Sequence, residues 1–196
     1  MESSRRGWLD HNKSLGWDDE KFPLTAARLD ISRGYIDQDY FNGGVKFQTG
    51  ARYPNDPASM VGQMPHSWLQ GSEIRPHIHW FQNQNARPNW LLAIKIKNNG
   101  TEDIDETNYS NYTFRTFTED VYTYTSGGLR QITTAPSIDM TGIHISAPIH
   151  VVLFRDNTNA SGLFAGSDPY SGKALLYQFD FHYQKDSFGS WEEWNK

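Results

Sequence analysis

The sequence is divided into short strand-like runs, and clusters of Gly, Pro, Asn and Asp separate these runs. Such runs with turn residues at close intervals are typical of antiparallel strands in a sandwich or barrel. We find eight such runs, at residues 34–40, 59–64, 74–82, 90–97, 112–117, 129–134, 148–155 and 173–184. Eight strands predict an all-β fold, an antiparallel β-sandwich of the jelly-roll type.

Composition and length support this fold class and a simple domain organisation. Aromatic residues make up 14% of the 196 residues, and no sustained 3.6-residue apolar period indicates a helix. Strands do not alternate with helices, so a parallel sheet is disfavoured. Residues 1–30 follow neither period and are predicted to form an extended N-terminal arm. Residues 31–196 are predicted to form a single domain with a short C-terminal tail.

Charge and cysteine content exclude several classes of partner and site. The net charge of -5 argues against a nucleic-acid partner, which normally requires a basic face. The sequence contains neither a stretch of about 20 apolar residues that would span a membrane nor an apolar N-terminal signal segment, so we expect a soluble chain without a membrane partner. Without cysteine, only histidine and carboxylate side chains are candidate metal ligands.

The decapeptide GSEIRPHIHW is similar to the first motif of metal-binding cupins. It contains His77 and His79, whose side chains would point to the same face of a strand and could ligate one ion. The motif is incomplete, because amide residues stand where a cupin has its glutamate. A second cupin motif would supply another histidine, and His150 is the candidate. A cupin-like metalloprotein that uses His77, His79 and His150 is therefore one alternative hypothesis.

Alternation also predicts the direction in which these histidines point. The large apolar residues of the 74–82 segment fall on one face, which we assign to the core, so His77 and His79 fall on the opposite face. A cupin requires the reverse, since its histidines point into the barrel. By the same rule Asp180 and His182 point away from the core, and the two polar faces would form one outward surface if their strands pair.

If the chain binds no metal, we interpret three histidines as polar residues at the surface or at a subunit contact: His77, His79 and His182. If they lie at a contact, protonation near the ordinary histidine pKa of about 6.5 would loosen it. The sequence contains neither a nucleophile elbow nor a glycine-rich phosphate loop before a helix. We therefore expect no catalytic residue and no cofactor.

Tryptophans lie near both chain ends, outside the strand-rich region. Trp8, Trp17, Trp191 and Trp194 would be costly as exposed side chains, whereas tryptophan is a preferred anchor at subunit contacts. We predict that these four residues contact partner subunits. The alternative is that some of them fold back onto their own domain.

Tyrosines are concentrated in one polar, loop-rich part of the chain. Tyr109, Tyr112, Tyr122 and Tyr124 could stack on sugar rings, which makes a carbohydrate-binding module a further alternative. Tyrosines at alternating positions also stabilise sheet surfaces without binding a ligand.

Six sequence blocks, taken together, resemble a group of virion structural proteins of tailed bacteriophages and related prophages. The blocks are FPLTAARLD, ARYP, MPHSW, IRPHIHW, NWLLAIKIKNNG and LLYQFDFHYQKDSFGSWEEW, and the resemblance extends from about residue 17 to the C-terminus. It implies a jelly-roll-like sandwich, made in the bacterial host cytoplasm, that assembles in the virion with copies of itself and with other virion proteins. It implies no catalytic role.

Within a virion, the acidic charge and the tryptophan-bearing ends favour a capsid decoration or cement protein. Such a protein is expected to be a homotrimer that binds the major capsid protein only in the assembled shell. A tail or neck component, with or without glycan binding, is the alternative placement.

Overall fold

The computed structural model describes residues 16–39, 43–100, 109–118, 121 and 123–186. In these residues two 3-10 helices occur, Leu24–Ala26 and Tyr109–Asn111, and no α-helix is present. The strands are β1 (Gly16–Pro23), β2 (Arg28–Leu29), β3 (Ile36–Asp39), β4 (Gly44–Phe47), β5 (Ala58–Gln63), β6 (Ile74–Gln82), β7 (Trp90–Ile96), β8 (Thr113–Thr116), β9 (Leu129–Thr134), β10 (Pro148–Arg155) and β11 (Ala174–Lys185).

The strands form two antiparallel sheets. The first sheet has the order β3-β4-β11-β6-β9, with β1 also paired to β11, and the second has the order β2-β5-β10-β7-β8. Strands β4 to β11 enter the two sheets in the pairing order of two Greek keys, β4-β11-β6-β9 facing β5-β10-β7-β8. The predicted all-β sandwich of the jelly-roll type is therefore confirmed.

The core lies between the sheets and is rich in large aromatic side chains. Trp80 of the first sheet and Trp90 of the second meet edge to face, with ring centroids 6.3 Å apart. The Phe47 ring lies 5.4 Å from that of Trp90 in a similar edge contact. All three side chains are fully buried, so these contacts join the two sheets at their centre.

The N-terminal segment requires a correction of the sequence prediction. Residues 16–23, expected to belong to an arm, form β1 and pair with β11 over their whole length. Phe22 and Leu24 are buried in the core. Alternation did not predict this strand because Phe22 is its one buried residue. Charged side chains are common on such edge strands, where they oppose pairing with other chains. Residues 1–15 lie outside the described residues.

The long connection between β10 and β11 is held by a buried arginine. Nε of Arg155 lies 2.6 Å from Oδ2 of Asp168, and both side chains are excluded from solvent. Nη1 of Arg155 donates to the carbonyl oxygens of Gly172 at 2.6 Å and Phe47 at 3.2 Å, and Nη2 donates to that of Tyr170. One guanidinium therefore fixes the connection against the sheets.

Candidate functional site

The two histidine-bearing segments lie side by side in the first sheet. Strands β6 and β11 pair so that Asp180 stands opposite His77, and Gln178 stands opposite His79. Residues directly opposite each other in an antiparallel pair project from the same face. The predicted outward surface formed by the two polar faces is therefore confirmed. The predicted core face of β6 is confirmed as well, since three of its residues are buried in the core: Ile74, Ile78 and Trp80.

Three side chains on this surface converge on one point. Nε2 of His77 lies 2.8 Å from Oδ1 of Asp180, and Nε2 of His79 lies 3.3 Å from the same oxygen. We call these three residues the His/Asp cluster. His182 flanks the cluster, with its ring centroid 4.3 Å from that of His77, and its Nε2 lies 3.0 Å from Oδ1 of Asp19 in β1.

The His/Asp cluster is buried although it lies on the outer face of the sheet. The side chains of His77 and Asp180 are 4% and 2% exposed, and that of His79 is 18% exposed. Neighbouring rings contribute to this cover, since Tyr177 lies 5.7 Å from His79 and His182 lies against His77. A surface position is therefore wrong for His77 in the single chain, because alternation predicts only the side of the sheet and not the cover that neighbouring side chains supply. The role of His77, His79 and His182 at a subunit contact stays a prediction.

Several polar atoms of the cluster lack well-formed hydrogen bonds. The contacts of Asp180 Oδ1 with the two imidazoles lack good hydrogen-bond geometry, and Nε2 of His79 is buried without a well-formed hydrogen bond among the described residues. Oδ2 of Asp180, in contrast, accepts a hydrogen bond of 2.9 Å from Nε2 of Gln178. Buried polar atoms are normally paired, so the unpaired ones require a cause.

The charge state of the cluster follows from its neighbours. Burial favours the neutral acid, but the adjacent imidazoles of His77 and His79 outweigh it and hold the pKa of Asp180 at about 2. Burial disfavours the charged form of His77, but the Asp180 carboxylate raises the pKa of His77 above its ordinary value. Asp180 is therefore an anion at neutral pH.

His150 does not belong to this site. It lies in β10 on the outer face of the second sheet, on the opposite side of the sandwich from His77 and His79. Its Nε2 is 2.6 Å from Oγ of Ser59, and its Nδ1 contacts the hydroxyl of Tyr112. The proposed ligand set of His77, His79 and His150 is therefore wrong, because sequence gives no information on which strands are neighbours.

Of the four tyrosines that could stack on sugars, Tyr112 is not available, because it is buried. Tyr109 packs against Tyr112 with ring centroids 5.3 Å apart and makes an edge contact with Phe154 of the second sheet, at 5.4 Å. These two rings therefore belong to a small apolar cluster. Tyr109 and Tyr124 are half-buried, and Tyr122 lies outside the described residues.

An exposed aromatic surface surrounds the His/Asp cluster instead. Ile132 of β9 is 58% exposed and stands opposite His79. The rings of Phe81 and Tyr177 are 5.1 Å apart, and the Arg130 guanidinium lies over both rings at 5.7 and 5.8 Å. We call the surface the outer-face patch, and its members are Trp17, Arg75, Phe81, Arg130, Ile132 and Tyr177.

Strict alternation along β11 would place Tyr177 on the core face with Phe179 and Phe181, but the Tyr177 ring lies against Phe81 on the outer face. The pairing of β11 with β6 shifts between Leu176 and Gln178, which indicates a bulge at Tyr177. A bulge adds one residue to a strand and re-aims the side chains around it. Tyr177 consequently joins Phe81 on the outer face.

Trp17 is the one of the four predicted interface tryptophans that the structure describes. Its side chain is 44% exposed, and the Arg75 guanidinium lies 4.3 Å above its ring. It is therefore available to a partner, and its interface role stays a prediction. Trp8, Trp191 and Trp194 lie outside the described residues.

Comparisons with known proteins identify no family for the chain. No protein-family model matches the sequence, and no curated protein matches it. Among the described residues, no helix is long and apolar enough to cross a membrane.

Three solved structures have distant similarity to the chain. The K1 cleaved adhesin domain of Lys-gingipain from Porphyromonas gingivalis is 11% identical, with a TM-score of 0.38 over 85% of this chain and 97% of that one. TmCBM61 in complex with beta-1,4-galactotriose is 9% identical, with a TM-score of 0.32 over 90% and 94%. Dimeric latent PorU from P. gingivalis is 8% identical, with a TM-score of 0.29 over 88% of this chain and 13% of that one. Similarity at this level carries no argument about function.

Proposed function

We propose that the protein is a non-enzymatic virion protein, a capsid decoration protein that uses its outer-face patch to bind the assembled shell. The observation that carries the proposal is the composition of this patch. Aromatic residues and arginine are enriched at protein interfaces, and in this patch they surround the exposed side chains of Trp17 and Ile132. The resemblance to virion structural proteins of tailed phages supports the same conclusion.

The patch has the features of a protein contact more than those of a sugar platform. The Arg75 guanidinium covers one face of the Trp17 ring, and Arg130 lies over the rings of Phe81 and Tyr177. A sugar ring stacks on an open aromatic face, whereas a protein partner can pack against an arginine and an aromatic ring together. Glycan binding is therefore the second candidate, and a glycan array distinguishes the two.

A small cleft whose lining includes no member of the patch does not change this conclusion. It lies between β1 and β5, has a volume of about 120 Å³ and is lined by residues that include Glu20, Phe22 and Met60. Pockets for small ligands usually have volumes of about 300–1,000 Å³. The cleft is too small to support a ligand-binding or catalytic role of that kind.

The test is cosedimentation with shells of the major capsid protein encoded in the same phage or prophage genome. We expect the chain to sediment with assembled shells, to leave unassembled capsid protein unbound and to raise the melting temperature of the shells. A charged residue in the patch, Ile132→Asp, is expected to abolish binding. The matched control is Val61→Asp, since Val61 is 66% exposed on the second sheet.

Each failure in this experiment has a definite meaning. Absence of wild-type binding to intact shells contradicts the decoration role. Equal binding by the two variants contradicts the assignment of the patch as the binding surface. Light scattering on the free chain measures the predicted homotrimer separately.

A further inference from the structure

Three donor atoms in the His/Asp cluster have the spacing of ligands around a single metal ion. Nε2 of His77 and Nε2 of His79 lie 2.8 and 3.3 Å from Oδ1 of Asp180. With ligand bonds of about 2.1 Å, neighbouring ligands are separated by about 3.0 Å in an octahedron and about 3.4 Å in a tetrahedron. A ligand atom of each of the three residues lies within 4.8 Å of the other two, so an ion fits among them once the two imidazoles adjust around it.

The burial of these atoms is a second observation. Asp180 is 2% exposed, and neither the contacts of its Oδ1 with the two imidazoles nor the buried Nε2 of His79 has good hydrogen-bond geometry. A buried carboxylate oxygen without well-formed hydrogen bonds is unfavourable. A cation bound to both atoms reduces this cost.

The second carboxylate oxygen is held in a way that suits a metal ligand. Gln178 donates from Nε2 to Oδ2 of Asp180 at 2.9 Å, which fixes the orientation of the carboxylate and leaves Oδ1 directed at the two histidines. Outer hydrogen bonds of this kind are common at metal sites and orient the ligands. Gln178 is therefore a positioning residue for the site.

The donor set selects a class of ion. Calcium and magnesium prefer sites made entirely of oxygen atoms, whereas imidazole suits zinc, iron, nickel and copper. Two imidazoles and one carboxylate leave open coordination positions, and His79 lies on the more exposed side of the cluster. Water or a side chain of a docked protein can occupy these positions.

We propose that His77, His79 and Asp180 bind one divalent first-row transition-metal ion that joins β6 to β11 beneath the outer-face patch. The ion links the two central strands of the first sheet through their outward side chains. It stabilises the part of the sheet that carries Tyr177 and Ile132. The site is independent of the virion role, because its test measures metal binding by the free chain.

The experiment uses the full chain, freed of metal by a chelator and titrated with zinc(II) and cobalt(II). We expect saturation at one ion per chain by calorimetry, and cobalt absorption bands characteristic of nitrogen and oxygen ligands. His79→Gln and Asp180→Asn are expected to weaken zinc binding at least about 100-fold, more than the loss of an outer-shell partner. His144→Gln is the matched control, because His144 is exposed and lies in a loop away from the cluster.

Folding of each variant is checked by circular dichroism, and His79→Gln is the decisive variant because His79 is the least buried ligand. Zinc binding that is unchanged in folded His79→Gln would overturn the proposal. The same conclusion follows if the folded wild-type chain binds none of zinc(II), cobalt(II), manganese(II) and iron(II) at one ion per chain.

Discussion

Asp180 and His77 stand directly opposite each other on β11 and β6, with Oδ1 of the carboxylate 2.8 Å from Nε2 of the imidazole. An ionisable pair on the outer face of a sheet is ordinarily solvated, and the energy of the pair is then small. Here both side chains are excluded from water, and a second histidine approaches the same oxygen. This arrangement distinguishes the first sheet from an ordinary polar sheet surface.

Removing the metal is expected to lower the stability of the wild-type chain. An ion present at 100 times its dissociation constant adds about 2.7 kcal/mol to the free energy of unfolding. We expect a difference of this size between urea unfolding curves recorded with zinc and with a chelator at the same pH. The difference should be absent from His79→Gln. Coincident curves for the wild-type chain would contradict a stabilising ion.

A second prediction concerns the arginine that holds the connection between β10 and β11. Arg155→Met removes the ion-pair partner of Asp168, whose side chain is fully buried and keeps only hydrogen bonds such as that from the backbone N–H of Tyr170 to Oδ1, at 2.7 Å. An unpaired buried charge costs about 3–5 kcal/mol, and we expect that loss in the free energy of unfolding measured with urea. The double variant Arg155→Met, Asp168→Asn should recover part of the loss. A single-variant loss below about 1 kcal/mol would show that Asp168 finds another partner or water.

Three of the predicted runs, residues 74–82, 129–134 and 148–155, have the same bounds as β6, β9 and β10. Only β6 has the single apolar face to which the pleat gives a period of two. Strand β9 turns Gln131 and Thr133 to the core, and β10 is an apolar run that is buried on both faces. Strands β1, β2 and β4 were not predicted. The last two are too short for a period, and β1 presents mostly polar residues at the edge of the sheet.

The candidate site was predictable only in part. Alternation gave the face of His77 and His79, but the third member of the cluster depends on β11 lying next to β6, which is a long-range pairing. His150 was chosen as the histidine of a second cupin motif, and it lies on the other sheet. The bulge at Tyr177 carries no recognisable local signal, and it brings an aromatic ring beside His79.

Alkaline pH is expected to destabilise the chain through Tyr170. Burial raises the pKa of Tyr170 above its ordinary value, and its hydroxyl donates to Oδ1 of Asn83 at 2.6 Å. Above a pH of about 10 the unfolded chain loses this proton while the folded chain retains it, so stability is present below that pH and falls as the pH rises.

The measurement for Tyr170 is the free energy of unfolding between pH 9 and pH 11. The wild-type chain should lose up to about 1.4 kcal/mol per pH unit more than Tyr170→Phe over this range. We compare the slopes of the free energy of unfolding against pH, and not its absolute values, because the variant also loses a hydrogen bond at neutral pH. Parallel pH profiles would contradict the assignment.

The last prediction tests whether β1 is a structural strand of the sandwich. Phe22 of β1 lies over Gly62 of β5, and a Cβ atom at Gly62 would stand 2.6 Å from the Phe22 ring. Gly62→Ala therefore has to displace a buried ring, and overpacking of this kind costs about 1–3 kcal/mol. Gly166→Ala is the control, because nothing lies within 4 Å of a Cβ atom at Gly166. We expect the urea midpoint to fall for Gly62→Ala and to stay near wild type for Gly166→Ala. Equal midpoints would mean that Phe22 moves freely, and β1 would then be a loosely attached segment, as the sequence alone predicted.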